Sequence, residues 1–239
     1  MLFSEPVWFV LGWVLFGLQL AIYGSLIARM VTVGDYLFFY SVGLIVMTVF
    51  DAAADTGRNF VEHAHRGELP YFLSLPISRR GLLGSIALFG SANTLLRIMP
   101  PLIIALFVLG RLTASGLAFA TAALFLLGFG VAGIMLAMSF IAFKSVDIYT
   151  ALTIAVGVVL VRLSTIFYPM AVMPPGYSTA SQLSPLSYGA DLARWALGFD
   201  PSVLLNPYVA VAVVSALAVG TMFLASIVVE RLIEGVKAA

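Results

Sequence analysis

Two arginines, Arg97 and Arg162, lie inside apolar stretches that are long enough to cross a lipid bilayer. Because a charged side chain is costly inside a bilayer, such a residue usually lines a polar path or pairs with another polar group. Asn93 precedes Arg97 by one helical turn and would share its helix face. One interpretation is a cationic patch along a translocation path, suited to a phosphate or an anionic headgroup. The other is structural, with the arginines paired to Asp191 or extended to the outer membrane interface.

Few other residues suggest chemistry. The chain has no cysteine, which excludes disulfides, thiolate nucleophiles and cysteine-ligated metals. Its two histidines, His63 and His65, would point apart on a helix, so a metal site is not expected. No Gly-x-x-x-x-Gly-Lys-Ser/Thr phosphate-binding loop occurs, so the chain is not expected to hydrolyse ATP itself. The sequence therefore predicts neither a catalytic site nor a cofactor or metal bound by this chain, and an intramembrane enzyme is not expected.

The composition is that of a protein embedded in lipid. Apolar residues make up 62% of the 239 positions, charged residues 10%, and mean hydropathy is +1.10. A soluble domain has about 25% charged residues, because it needs a polar surface. The net charge of +1 gives no indication of a nucleic-acid partner. No apolar stretch alternates with period two, so we predict an all-α integral membrane fold.

The scaffold that positions these residues is predicted to be one transmembrane domain over 1–239 with six transmembrane helices. The predicted spans are 7–28, 36–53, 82–109, 115–143, 148–173 and 208–229. The first is expected to remain as a span, because no basic segment or cleavage site precedes it. The inner loops then contain most of the basic residues (Arg58, Arg66, Arg79, Arg80, Lys144, Arg231, Lys237) and the outer loops contain three (Arg29, Arg111, Arg194). This asymmetry predicts that both termini are cytoplasmic.

The inner loop, 54–81, is one of two long connections. Gly67 can end a helical stretch, and Pro70 and Pro76 enclose an apolar run before Ser78, which can cap the next helix. We predict a short amphipathic helix at the membrane surface. It is either a docking element or a connector with no partner. The loop contains Arg66, Gly67, Glu68 and Leu69, followed by Tyr71, Phe72, Leu73, Ser74, Leu75, Pro76, Ile77, Ser78 and Arg79. This segment resembles the cytoplasmic loop of ABC-2 type permeases, which are the membrane subunits of prokaryotic ABC exporters. The family often has Thr and Glu where this chain has Glu68 and Pro70.

The outer loop, 174–207, also resembles that family. Pro185, Tyr188, Asp191 and Arg194 follow its Pro-x-x-Tyr-x-x-Asp-x-x-Arg pattern before the sixth span. Pro185 suits the first position of a helix, and Asp191 and Arg194 can pair on one face of it. A short apolar piece precedes this helix, so we predict an outer re-entrant helical hairpin.

The resemblance implies a function and partners. The chain would be the permease of an ATP-driven exporter, working by alternating access with a second permease copy, identical or paralogous, and two copies of a separate ABC ATPase subunit that holds ATP and Mg. The inner-loop residues would form the cytoplasmic coupling helix, and Asn93, Arg97, Arg162, Pro185, Tyr188, Asp191 and Arg194 the translocation path or outer gate. The protein would be located in the plasma (inner) membrane of a bacterium or archaeon. The apolar lining suits an amphipathic or lipid-linked substrate. The interface helix that the family commonly has before its first span is not expected here. The alternative is an ion-coupled secondary transporter, for which Asp51 is the candidate acidic residue.

Overall fold

The computed structural model describes residues 6–29, 34–74, 78–142 and 145–237. Within these ranges the chain is helical and contains no strand. Five helices are long and apolar enough to cross a membrane: Phe9–Ala28, Tyr36–His65, Gly81–Val108, Ala114–Ile141 and Pro207–Leu224. The predicted all-α, multi-pass membrane character is confirmed at this level.

Ten α-helices follow one another along the described residues. They are α1 Pro6–Gln19, α2 Ser25–Ala28, α3 Tyr36–His65, α4 Leu69–Ser74, α5 Arg79–Val108, α6 Ala114–Ile141, α7 Val146–Arg162, α8 Pro175–Ser181, α9 Pro185–Ala196 and α10 Pro207–Lys237. A π-helical segment, Leu20–Gly24, joins α1 to α2 without a break, and 3-10 turns occupy Met170–Val172 and Pro201–Val203.

Two helices differ in length from the predicted spans. The second span was expected to end at residue 53, but α3 continues to His65, so the first part of the predicted inner loop is helical. The extension is stable because the Phe60 ring packs against the Phe140 ring at a tilt and Val61 is fully buried. The fifth span was expected to be helical to residue 173, but α7 ends at Arg162. With 17 residues, α7 is about 25 Å long, shorter than each of the five candidate spans, and is not one of them.

The helix ends follow the expected capping chemistry at several points. The Ser78 hydroxyl accepts a hydrogen bond from the Gly81 amide at 3.1 Å and caps α5. Asn206 accepts one from the Tyr208 amide at 3.0 Å where α10 begins with Pro207. Pro185 is the first residue of α9, as predicted. These local signals set where α5, α9 and α10 start and hence what their side chains face.

The centre of the bundle is α3, of which 72% of the most apolar window is buried. It packs against α5, α6 and α7, and α6 in turn packs closely on α10. Gly130 and Gly133 make the α6–α10 contact possible, since a Cβ on Gly133 would lie 2.5 Å from the Thr221 hydroxyl oxygen. That hydroxyl donates to the Gly130 carbonyl at 2.8 Å, across the two helices. By contrast, the Phe9–Ala28 segment lies at the periphery, since only 6% of its most apolar 18-residue stretch is buried.

Candidate functional site

The end of the bundle where α9 meets the start of α3 contains a fully buried ion pair. Asp191 and Arg194, three residues apart on α9, are 2% and 0% exposed, and their side chains approach to 2.7 Å. The predicted pairing on one helix face is therefore correct. Asp191 pairs with Arg194 on its own helix, and not with Arg97 or Arg162 as one interpretation of the sequence had it.

The Arg194 guanidinium connects α9 to two distant parts of the chain. Four of its five hydrogen bonds go to backbone carbonyls, at 3.2 and 3.0 Å to Phe39, 3.0 Å to Thr165 and 2.7 Å to Ile166. Its Cζ also lies 3.4 Å from the centroid of the Phe39 ring. This explains why α7 ends early. The chain after Arg162 turns its carbonyls towards Arg194, and Pro169 further on cannot continue a helix.

The Asp191 carboxylate fixes two more segments. It accepts hydrogen bonds from the Thr165 hydroxyl at 3.2 Å and from the Leu205 amide at 3.1 Å. Burial raises the pKa of Asp191, while Arg194 and these two donors lower it. Because every charged atom here has partners, this pair acts as a clamp between α9, the start of α3, the 163–166 segment and the entry to α10.

The clamp depends on a glycine that the sequence analysis did not single out. A Cβ on Gly43 would lie 2.0 Å from the Ile166 carbonyl oxygen and 3.1 Å from an Arg194 guanidinium nitrogen. Only a residue without a side chain lets the 163–166 segment lie directly on α3. The signal in the sequence was weak, since Gly43 is one of several glycines in apolar stretches.

A second polar cluster lies between α3 and α5, on the side facing α1. The Arg97 guanidinium contacts the Asp55 carboxylate at 2.8 Å, and the side chains are 34% and 46% exposed. The ring of Phe9 on α1 lies 5.4 Å from the Arg97 guanidinium, and the Trp13 indole donates to the Arg97 carbonyl at 3.0 Å. Arg97 thus has a carboxylate partner that the predicted spans had placed in the inner loop.

Two further polar side chains extend this cluster. Asp51 lies one turn before Asp55 on the same face of α3, is exposed, and has no hydrogen-bond or ion-pair partner among the described residues. Asn93 lies one turn before Arg97 on α5, and its Oδ1 is a buried atom without a hydrogen-bond partner there. The same is true of Arg97 Nε. We refer to Asp51, Asp55, Asn93 and Arg97 together as the α3–α5 polar cluster.

An apolar cleft of about 320 Å³ adjoins this cluster. It lies between α1 with its π-helical continuation, the start of α3 and the last part of α5. Its lining includes Trp13, Phe16, Gly17, Leu37 and Pro101. Trp13 belongs to both features, since it lines the cleft and donates to the Arg97 carbonyl. Pro101, one turn after Arg97, places the start of the cleft next to the α3–α5 polar cluster.

At the other end of α3, the predicted coupling segment begins at a sharp turn. Gly67 has a φ of +75° and ends α3, as predicted. Glu68 contacts His63 at 2.7 Å, and the Phe72 ring on α4 meets the His63 ring edge-on at 6.2 Å. The Tyr71 side chain on the same short helix is 67% exposed. The structure thus attaches α4 directly to the end of the long α3 helix and leaves Tyr71 accessible.

The other predicted site residues are placed as follows. Arg66 lies 3.8 Å from Glu62 at the end of α3, and the Ser74 hydroxyl donates to the Tyr71 carbonyl at 2.8 Å. Leu69 and Leu73 belong to α4, Arg79 begins α5, and Leu75, Pro76 and Ile77 lie outside the described residues. Pro185 and Tyr188 are half-buried on α9.

Arg162 is not brought together with Arg97. It is exposed at the end of α7, where its carbonyl accepts a hydrogen bond from the Tyr177 hydroxyl. The cationic patch proposed from two arginines is therefore not formed within this chain. Arg97 is instead part of a mixed cluster with two carboxylates.

Comparison with known proteins does not assign this arrangement to a family. The chain matches no protein-family model and no curated protein.

Proposed function

We propose that this chain is the membrane permease subunit of an ATP-driven exporter of the ABC-2 type. In this proposal the chain spans the membrane six times, with α7 as the fifth crossing, both termini cytoplasmic and α8–α9 as the outer re-entrant hairpin. A separate ATPase subunit, in two copies, binds ATP and Mg, and a second permease copy completes the pathway in the plasma membrane. The chain itself has no catalytic role.

The observation that carries the proposal is the continuity between α4 and the α3–α5 polar cluster. The 30 residues of α3 form one rod about 45 Å long. One end is joined to α4 through the His63 contacts, and Asp51 and Asp55 lie further along the same helix. A force applied to α4 by a partner would therefore move charged groups that lie within an apolar bundle. A connector with no partner would have no need for such a rigid attachment.

The outer clamp supports the same proposal. It ties the first turns of α3 to α9, to the 163–166 segment and to the entry of α10. Movement of α3 therefore has to move the outer helices as a unit or pivot against them. Such rigid-body motion of helix groups is how alternating access is generally achieved in transporters.

The test is co-purification with the ABC ATPase encoded beside its gene. The informative variant is Tyr71→Asp, because Tyr71 is exposed and its replacement need not disturb the bundle. The matched control is Tyr208→Asp, an 85% exposed tyrosine at the start of α10, beyond the outer loop. We expect Tyr71→Asp to lose the ATPase from the purified complex and to abolish permease-dependent ATP hydrolysis, while Tyr208→Asp retains both. Failure of the native chain to bind any ATPase would contradict the proposal.

The second candidate is an ion-coupled secondary carrier, and one observation favours it. Asp51 is an exposed, unpaired carboxylate among the described residues of a membrane-spanning helix, which is where such carriers hold their coupling ion. Transport in vesicles distinguishes the two. An exporter of the proposed type depends on ATP and is unaffected by a protonophore, whereas a proton-coupled carrier is stopped by the protonophore without any ATP.

A further inference from the structure

The charge balance of the α3–α5 polar cluster differs from the sequence expectation of a cationic patch. Arg97 is neutralised by Asp55 at 2.8 Å, which leaves the carboxylate of Asp51 without a partner among the described residues. The next cation along α3, Arg58, already pairs with Glu62 at 3.0 Å. The cluster therefore has one negative charge in excess, not a positive one.

The Asn93 amide oxygen also suits a positively charged ligand. Asn93 Oδ1 is a buried acceptor with no donor among the described residues. A buried polar atom without a partner is destabilising unless a ligand or a polar group satisfies it. This acceptor and the Asp51 carboxylate, which has no partner among the described residues, favour a ligand that brings positive charge or N–H groups. Arg97 Nε, a buried donor that also lacks a partner there, favours an acceptor instead.

The apolar cleft adds the second half of a ligand site. Along α3, Asp51 does not line the cleft but lies on the same helix face as Leu37, which does, fourteen positions or about 21 Å further along the helix. On α5, the polar residue Arg97 lies one turn before Pro101, which lines the cleft. Trp13 and Phe9 of α1 cover the junction, and aromatic faces attract cations.

We propose that the cleft and the α3–α5 polar cluster together bind a hydrophobic organic cation, with the positive charge at Asp51 and the apolar part between α1 and α5. This deepens the proposed function, on which its physiological meaning rests, by naming the cargo class. The site itself is a property of the isolated chain. Its binding test requires no ATPase, so its failure is distinguishable from failure of the exporter proposal.

The probes are tetraphenylphosphonium and tetraphenylborate, which have nearly the same shape and opposite charge. Binding to the full chain in nanodiscs is measured by equilibrium dialysis, with empty nanodiscs subtracted to remove partition into lipid. We expect saturable binding of the phosphonium and none of the borate. Asp51→Asn should weaken phosphonium binding about tenfold or more, since it removes the unpaired charge. The control Asp147→Asn, an exposed carboxylate in the first turn of α7, should leave it unchanged.

The cleft is tested by filling it. Gly17 lines the cleft and has nothing within 4 Å of an added Cβ, so Gly17→Phe can place a ring there without a clash at Cβ. Gly12, on the same helix, is equally open but is not part of the lining, and Gly12→Phe is the matched control. We expect loss of phosphonium binding in the first and retention in the second.

Three results would overturn the proposal. They are borate binding as tight as phosphonium binding, an Asp51→Asn variant that binds like the native chain, and the absence of saturable binding of either probe. An unchanged unfolding transition of Asp51→Asn and Gly17→Phe would exclude misfolding as the cause of any loss.

Discussion

Replacing Arg194 by methionine should be the most destabilising single change at the end of the bundle where α9 meets α3. The substitution removes all five hydrogen bonds of the guanidinium and leaves the Asp191 carboxylate, which is 2% exposed, without its counter-ion. Breaking a buried ion pair by removing one partner costs about 3–5 kcal/mol. The carbonyls of Phe39, Thr165 and Ile166 also lose a donor, so the upper part of this range is expected.

The assay is equilibrium unfolding in mixed detergent micelles, with the free energy compared between native and variant chains. The double variant Asp191→Asn, Arg194→Met should be less destabilised than the sum of the two single variants, because the uncompensated charge is gone. Coupling between residues in contact is about 0.5–3 kcal/mol, and the upper end applies to a pair this deeply buried. Arg194→Lys is a further probe, since an ammonium cannot reproduce the fork that holds three carbonyls at once.

An exposed ion pair near the start of α3 is the matched control. Arg111 lies 2.8 Å from Asp35, and these side chains are 45% and 35% exposed. Exposed ion pairs contribute about 0–1 kcal/mol, so Arg111→Ala should cost less than about 1 kcal/mol. If Arg194→Met were no more destabilising than Arg111→Ala, Arg194 would not be the clamp described here.

Three smaller predictions use the same unfolding assay. Gly43→Ala should destabilise the chain by about 2 kcal/mol or more, because its Cβ would lie 2.0 Å from the Ile166 carbonyl oxygen; Gly84→Ala, with nothing within 4 Å, should be neutral or stabilising. Gly133→Leu should separate α6 from α10 and cost about 1–3 kcal/mol, and a variant as stable as the native chain would contradict that packing. Tyr149→Phe should cost about 1 kcal/mol, since the buried hydroxyl donates to the Ala54 carbonyl at 2.8 Å; an unchanged free energy of unfolding would mean that this hydrogen bond is not formed.

Much of the scaffold is predictable from the sequence because its determinants are local. Apolar length indicates the candidate spans, and Ser78, Pro185 and Pro207 mark helix starts through interactions with their own neighbours. The Asp191–Arg194 pair is similarly local, being one turn of a helix. Orientation and partners stay predictions, since they depend on a membrane and on other chains.

The parts that sequence reasoning missed depend on contacts between distant residues. Arg194 bonds to the Phe39 carbonyl, 155 positions away, and no side-chain pattern reports where a carbonyl will be. The hydrogen bonds of Arg194 to the Thr165 and Ile166 carbonyls likewise explain why α7 ends before its apolar stretch does. Asp55 was missed for a different reason. Packing by Phe60 and Val61 extends α3 past the apolar segment, so a carboxylate that was assigned to a loop lies in a helix.

The environment of the α3–α5 polar cluster decides between a structural and a functional role for it. If its exposed side met lipid, Asp55→Ala would leave Arg97 charged in hydrocarbon, at a cost of at least about 2.5–3.5 kcal/mol. If it met water, the pair would behave as a half-exposed surface pair worth about 1 kcal/mol or less. A permease with a polar path requires the second value, and the unpaired Asp51 points the same way.

The absence of native cysteine allows this environment to be probed directly. A single cysteine at Thr48, one turn before Asp51 on α3, should react rapidly with a membrane-impermeant, water-soluble thiol reagent added to vesicles with the appropriate side accessible. A cysteine at Ile154 on α7, an apolar residue that is 62% exposed, should react slowly, because its surroundings are predicted to be lipid. Thr48 belongs to a candidate span and Ile154 to the proposed fifth crossing, so in this proposal unequal reactivity reports water and not mere exposure. Equal, slow reactivity at both would place the α3–α5 polar cluster in lipid, and its charges would then have to be explained as a structural pair and not as part of a path.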